Sequence, residues 1–261
     1  MLEFPNINPI ALDLGIIQIR WYAISYIAGI LLSWALILKV IKFKSLNIDK
    51  KVVSELISNS MIGIIIGGRL GYVIFYNPEY FANNPIEIFK LWNGGMSFHG
   101  GFIGVIIAVI YTSKVSKTPI MILADLIAIV SPIGIFFGRL ANFINGELYG
   151  RITNHRFGMI FPNGGNLPRH PSQLYEAFFE GLLLFIIMLL FIQFTNILSK
   201  RGFITSLFIS SYGFFRFFVE FFREPDIHIG LIYFDFSMGQ LLSLPMIIIG
   251  IYSIILTIKK N

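Results

Sequence analysis

Four stretches of this 261-residue chain place polar side chains of chemical interest inside or beside apolar runs. In the first, His99-Gly100-Gly101, two glycines let a backbone or a headgroup come close to an imidazole that can take a proton near neutral pH. The second runs from Gly138 to Arg151 and holds Arg139, Asn142, Asn145, Glu147, Gly150 and Arg151. Arg139 and Asn142, three apart, share a face if the helix continues through them. In the third, Arg169-His170-Pro171-Ser172-Gln173-Leu174-Tyr175-Glu176, Pro171 suits a first helical turn and Glu176 the positive end of a helix dipole. The fourth spaces Tyr212, Arg216 and Glu220 at i, i+4 and i+8, so that Glu220 can neutralise Arg216, and Arg223 and Glu224 follow. Each stretch also has a plainer reading: a packed histidine, a polar helix exit, a helix start and a structural ion pair.

The elements that must position these groups are membrane spans. The chain is 56% hydrophobic and 13% charged, against roughly 25% charged in soluble domains. A bilayer core takes about 20 apolar residues per helix, and such runs lie near 21–38, 54–75, 97–113, 120–138, 174–194, 203–221 and 237–257. The expected fold is therefore an all-α polytopic membrane protein of about seven helices, one transmembrane catalytic domain over 1–261. The first 20 residues lack a basic leader, so the first span is expected to be retained. Gly63, Gly67 and Gly71, Gly100 and Gly104, and Gly134 and Gly138 have the spacing of close helix packing. Gly-Arg-Leu at 68–70 recurs at 138–140, a faint hint of duplication.

Charge sets the expected orientation. Lys39, Lys42, Lys44, Lys50 and Lys51, then Lys114 and Lys117, Lys200 and Arg201, and Lys259 and Lys260 all fall on one side of a seven-span chain. The positive-inside rule makes that side cytoplasmic, with the N-terminus outside and the C-terminus inside. Arg20, Arg69, Arg139, Arg151, Arg156, Arg169, Arg216 and Arg223 lie on or near the other side. Arg69, Arg139 and Arg216, near the outer ends of spans 2, 4 and 6, suggest a shared polar cavity capped by the 139–173 connection. A planar guanidinium suits phosphate. Tyr22 is at the outer end of the first span, where aromatic anchors are common. Asp125 reads as a helix-start residue.

These residues point to a cavity that binds an anion, and leave an enzyme and an anion transporter both open. A transporter needs polar groups along a path, whereas the inner halves of these spans are apolar; a hydrolase needs an activated water or nucleophile, and no such set is visible. There is no cysteine, so no thiolate nucleophile or disulfide belongs to the chain itself. The four histidines are scattered, which argues against a metal site, and the formal charge of +6 fits basic loops rather than a nucleic-acid face.

Across nearly its whole length the chain resembles prolipoprotein diacylglyceryl transferases. The resemblance rests on Arg20-Trp21-Tyr22, Gly67 to Gly71, Ser97 to Gly101, Gly138 to Arg151, Arg169 to Glu176 and Tyr212 to Asp226, in that order. It implies transfer of the diacylglyceryl group of phosphatidylglycerol to the lipobox cysteine of a preprolipoprotein signal peptide. A thioether forms, glycerol phosphate leaves, no cofactor is needed, and signal peptidase II acts next. It implies a bacterial inner (cytoplasmic) membrane protein with its active site facing outward. On that basis His99 is the candidate base. Arg139 and Arg216 are candidates for stabilising the departing phosphate. Tyr22 and Tyr212 would line the cavity, Asn142, Asn145, Glu147 and Gly150 would belong to the headgroup site or its loop, and Glu220 would hold Arg216. Arg69, Arg151 and Arg223 are possible supports.

Overall fold

A computed structural model describes residues 2–5, 7–15, 18–225, 230, 232 and 235–259; Asp226 and Lys260 of the motifs above lie outside them. The protein is a predominantly helical, multi-pass membrane protein. Six helices are long and apolar enough to span a bilayer: α1 (Trp21–Phe43), α2 (Lys50–Tyr76), α4 (Phe98–Ser116), α5 (Ile120–Ile144), α6 (Ser172–Phe194) and α8 (Met238–Lys259). A shorter apolar helix, α7 (Phe203–Val219), joins them, and α3 (Pro78–Asn83) is a single short helix after α2. Each expected run falls on a helix, with Ser97, Glu220, Phe221 and Ser237 at the run ends outside the helices. α4 and α5 are two separate helices, because Lys117 adopts a left-handed conformation (φ 55°) that ends α4.

The chain divides into two compact units, Ile37–Ala124 and the pair of segments Met1–Leu36 with Asp125–Asn261. In the first, glycines bring α2 and α4 together backbone to backbone. A Cβ built on Gly63 would fall 2.4 Å from the Gly104 carbonyl oxygen, and one on Gly67 2.3 Å from that of Gly100. The segment that follows α3 folds around Arg69, which is buried in α2. Its Nε donates to the Ile88 carbonyl (2.9 Å), Nη2 to Glu87 (2.6 Å) and Lys90 (3.3 Å), and Nη1 to Gly95 (3.1 Å) and Gly94. Phe81 lies against the guanidinium, 5.1 Å from ring centroid to Cζ. Lys90, by a side-chain hydrogen bond, holds the Glu87 carboxyl below the usual carboxylate range.

In the second unit a short antiparallel pair, β1 (Ile10–Asp13) and β2 (Gln18–Arg20), leads directly into α1. Asp125 does not start its own helix. Its carboxylate crosses to the beginning of α7, where it accepts from the Gly202 N–H (2.7 Å), the Thr205 N–H (2.8 Å) and the Thr205 hydroxyl (2.7 Å). It satisfies donors that a helix leaves free at its N-terminus. α6 winds as a π-helix over Ala177–Leu183, a form frequent at functional sites. α7 and α8 pack through Gly250, where a Cβ would meet Ser210 at 2.6 Å. The stretch between α5 and α6 is folded rather than loose. Met159 and Arg169 exchange backbone hydrogen bonds (2.9 and 2.8 Å), and Phe143, Met159 and Phe161 form a small core closed by Phe4, Tyr149 and Leu174.

Gly134 and Gly138 depart from the packing expectation. A Cβ at either would meet nothing within 4 Å. The contrast gives a test. Gly104→Val should lower the thermal midpoint in detergent, with an overpacking loss of about 1–3 kcal/mol, because even its Cβ would sit 1.9 Å from the Gly63 carbonyl oxygen. Gly134→Ala should leave the midpoint unchanged or raise it slightly. Equal midpoints for wild type and Gly104→Val would mean that this seam does not hold α2 to α4.

Candidate active site

The ends of α5 and α7 bring two arginines to the first turns of α6, and a third follows α7. Glu176, on α6, has no exposed side-chain surface. Its Oε2 receives Arg139 Nε at 2.9 Å, Arg216 Nη1 at 3.1 Å and Arg223 Nη1 at 3.2 Å. One turn on, Glu180 is equally buried; Oε2 lies 3.9 Å from Arg139 Nη2 and Oε1 3.6 Å from Arg216 Nη1. Neither Glu180 oxygen accepts a hydrogen bond among the described residues. Glu220, where α7 ends, pairs with Arg216 Nη2 at 2.9 Å, as the i, i+4 spacing predicts. Its other oxygen accepts from the Ser237 hydroxyl at 3.0 Å. Gly239, at the start of α8, presses on the same carboxylate so closely that a Cβ there would fall 2.6 Å from its Cδ.

Three guanidinium groups and three carboxylates thus share one buried cluster. Isolated charges there would be costly, and mutual pairing with hydrogen bonds is what makes them tolerable. The arginines are not sealed in. The side chains of Arg139, Arg216 and Arg223 keep 20%, 15% and 14% of their surface exposed.

A second network joins α1 to the end of α5. The Asn142 side-chain amide donates to the Tyr22 hydroxyl (3.1 Å) and to Glu147 Oε1 (2.9 Å), which also accepts from the Asn145 amide (3.3 Å). α5 continues to Ile144, so Arg139 and Asn142 are both helical. Tyr212 stacks on Phe208, ring centroids 5.8 Å apart. Gly150 is an anchor of the folded stretch: its N–H donates to the His170 carbonyl (2.8 Å), its own carbonyl accepts from Arg169 Nη1 (3.2 Å), and a Cβ would strike the Phe222 carbonyl oxygen at 2.2 Å. Burial, with a smaller contribution from His155, holds the His170 imidazole below the usual histidine range.

The remaining arginines have other employment. Arg151 Nε donates to the Arg223 carbonyl (2.9 Å), which fixes the chain just past α7. Arg169 Nη1 also pairs with Glu224 (3.0 Å), and its guanidinium covers the Tyr149 ring. Arg69 spends its donors on the carbonyls of its own unit and organises a loop there. His99 is exposed in the first turn of α4, in the other unit. No group of three or more metal-binding side chains occurs among the described residues. The sequence motifs do not single out Glu176 and Glu180 as site residues. The available signal was two carboxylates one turn apart in an otherwise apolar span.

A model of the family described as prolipoprotein diacylglyceryl transferase matches residues 9–256. The chain belongs to that family. It is 52% identical over 256 residues to the phosphatidylglycerol–prolipoprotein diacylglyceryl transferase of Rickettsia bellii (strain OSU 85-389), covering 98% of this chain and 97% of that protein. It is 55% identical over 255 residues to the Rickettsia akari protein of the same name, covering 97% and 98%.

The hub makes a direct prediction. Glu176→Gln removes the charge that three arginines share and should destabilise the protein by about 3–5 kcal/mol, the usual result of breaking a buried pair from one side. Thermal unfolding in detergent measures it. A midpoint within a degree of wild type would show that the arginines do not depend on Glu176.

Proposed function

We propose that the arginine cluster around Glu176 is the phosphate-handling centre of a transferase that moves the diacylglyceryl group of phosphatidylglycerol to a prolipoprotein. The activity is that of its family. The observation that supports this site assignment is the trio of arginines gathered on one buried carboxylate, each keeping part of its side chain exposed.

In the reaction, the sulfur of the lipobox cysteine attacks an sp3 glycerol carbon. A C–S bond forms, the C–O bond to phosphate breaks, and its electron pair stays on the phosphate oxygen. The thiol proton passes to a base and then to solvent or to the departing phosphate. Negative charge grows on that phosphate as the bond breaks. N–H groups of Arg139 and Arg216 that point at it bind it more tightly than the starting diester, which lowers the barrier. Glu176 and Glu220 fix the two forks, so little reorganisation is needed when the charge appears. The thiol's reference pKa is about 8.5, so a base helps at neutral pH, and His99 takes that role. Tyr22, Asn142, Asn145 and Glu147 orient the headgroup, Gly150 holds the loop in shape and Tyr212 lines the cavity. The whole chain, 1–261, acts as one catalytic domain. It sits in the bacterial inner membrane with its N-terminus and active site outward, its C-terminus cytoplasmic and the 139–173 stretch as an outer cap. Its product passes to signal peptidase II. The supporting observation for orientation is the segregation of lysines to alternate connections.

Purified protein mixed with phosphatidylglycerol and a lipobox peptide should add a diacylglyceryl mass to the peptide, and a Cys→Ser peptide should gain nothing. Arg216→Lys keeps the charge but loses the planar fork; its transfer rate should fall by about 10²–10³, as for other lost anion donors. A Lys variant of wild-type rate would remove Arg216 from this role. For His99→Gln, the rate should drop most near neutral pH and recover towards pH 9, where the thiol ionises unaided. A wild-type rate throughout that range would dismiss His99 as the base.

A further inference from the structure

Glu180 stands apart from its neighbours in how it is held. Glu176 accepts hydrogen bonds from Arg216 and Arg223 and pairs with Arg139, and Glu220 accepts one from Ser237 and pairs with Arg216. Glu180 accepts no hydrogen bond among the described residues, though its side chain has no exposed surface and the guanidinium nitrogens lie 3.6 and 3.9 Å away. A carboxylate buried without hydrogen bonds is costly. It brings a carboxylate within ion-pair distance of Arg139 and Arg216 and no hydrogen-bond geometry. With it, the arginines Arg139, Arg216 and Arg223 face an equal number of carboxylates, and the cluster sums to zero. Without it the cluster would carry one net positive charge.

That difference matters unequally along the reaction. The substrate phosphodiester carries one negative charge. The released phosphate monoester has a second pKa of about 6 and approaches two negative charges at neutral pH. Attraction to a net positive site scales with ligand charge, so excess positive charge would favour the product over the substrate and slow its departure. We propose that Glu180 sets the net charge of the arginine cluster low enough for the phosphate product to leave. It is a positioning residue in the electrostatic sense, acting through Arg139 and Arg216. The proposal rests on the transferase reading above.

The test compares wild type, Glu180→Gln and Glu180→Asp in detergent, with phosphatidylglycerol, a lipobox peptide and added glycerol 1-phosphate as the inhibitor. Glu180→Gln should lower the inhibition constant of glycerol 1-phosphate by about tenfold, the scale of one added unit charge a few ångströms away in partly screened surroundings. It should lower the KM for phosphatidylglycerol by less. Its first turnover should be at least as fast as wild type while steady turnover falls, giving a burst. Glu180→Asp keeps the carboxylate, so its inhibition constant should stay closer to wild type than that of Glu180→Gln. A residue that only supports the fold would weaken product binding or leave it alone. Where Glu180→Gln does not keep its fold, the charge-balanced double variant E180Q/R223Q is compared with R223Q, and the double variant should show the lower inhibition constant. Inhibition constants within twofold in either comparison, or a shift to weaker inhibition, would overturn the proposal. Absence of transfer by the folded wild type is a separate outcome, and it would remove the transferase reading itself.

Discussion

Much of the second unit depends on one oxygen atom. Glu176 Oε2 receives three guanidinium groups from three places in the chain: the end of α5, the end of α7 and the segment after it. In a low-dielectric interior each of those cations needs an anion within a few ångströms, and each anion needs donors. Satisfying that requirement ties α6 to α5 and to both sides of the α7 terminus. The secondary supports follow from it. Glu220 steadies Arg216, Ser237 steadies Glu220, and Gly239 leaves the space in which that carboxylate fits. Arg151 holds the Arg223 carbonyl, so even the backbone beside the third arginine is fixed.

This arrangement reconciles two demands that pull against each other. In the role proposed for it, a site for phosphate wants positive charge, and a span wants none. Pairing every arginine with a carboxylate lets the cations remain inside the protein, while part of each side chain stays exposed. The neighbouring Tyr22–Asn142–Glu147 network carries out polar work without net cation burial, through neutral donors and a single carboxylate. The two networks share α5, with Arg139 on one and Asn142 on the other.

The sequence made the helices readable because apolar runs of spanning length have few alternatives in a chain so poor in charge. It also made short-range pairs readable: Arg216 with Glu220, and Arg139 with Asn142 on a continuing helix, follow from the period of the α-helix. What it concealed was long-range. Glu176 looked like a helix-start acid because its partners are 37 to 47 positions distant. Asp125 looked local for the same reason, yet its partners begin at Gly202. Arg69 resembled Arg139 in its Gly-Arg-Leu setting, but backbone carbonyls, which no composition reveals, consume its donors. Glycine spacing alone did not separate the tight seam at Gly63 and Gly104 from the open surface at Gly134.

The seam between α2 and α4 has a mechanical consequence. Where side chains interdigitate, rotamer changes let two helices slide or tilt at little cost. At Gly63, Gly67, Gly100 and Gly104 there are no rotamers to change, only main chain against main chain. Those two helices therefore act as one beam along that contact. Any opening through which a double-chained lipid enters, or a thioether-linked peptide departs, has to be found in joints made of side chains.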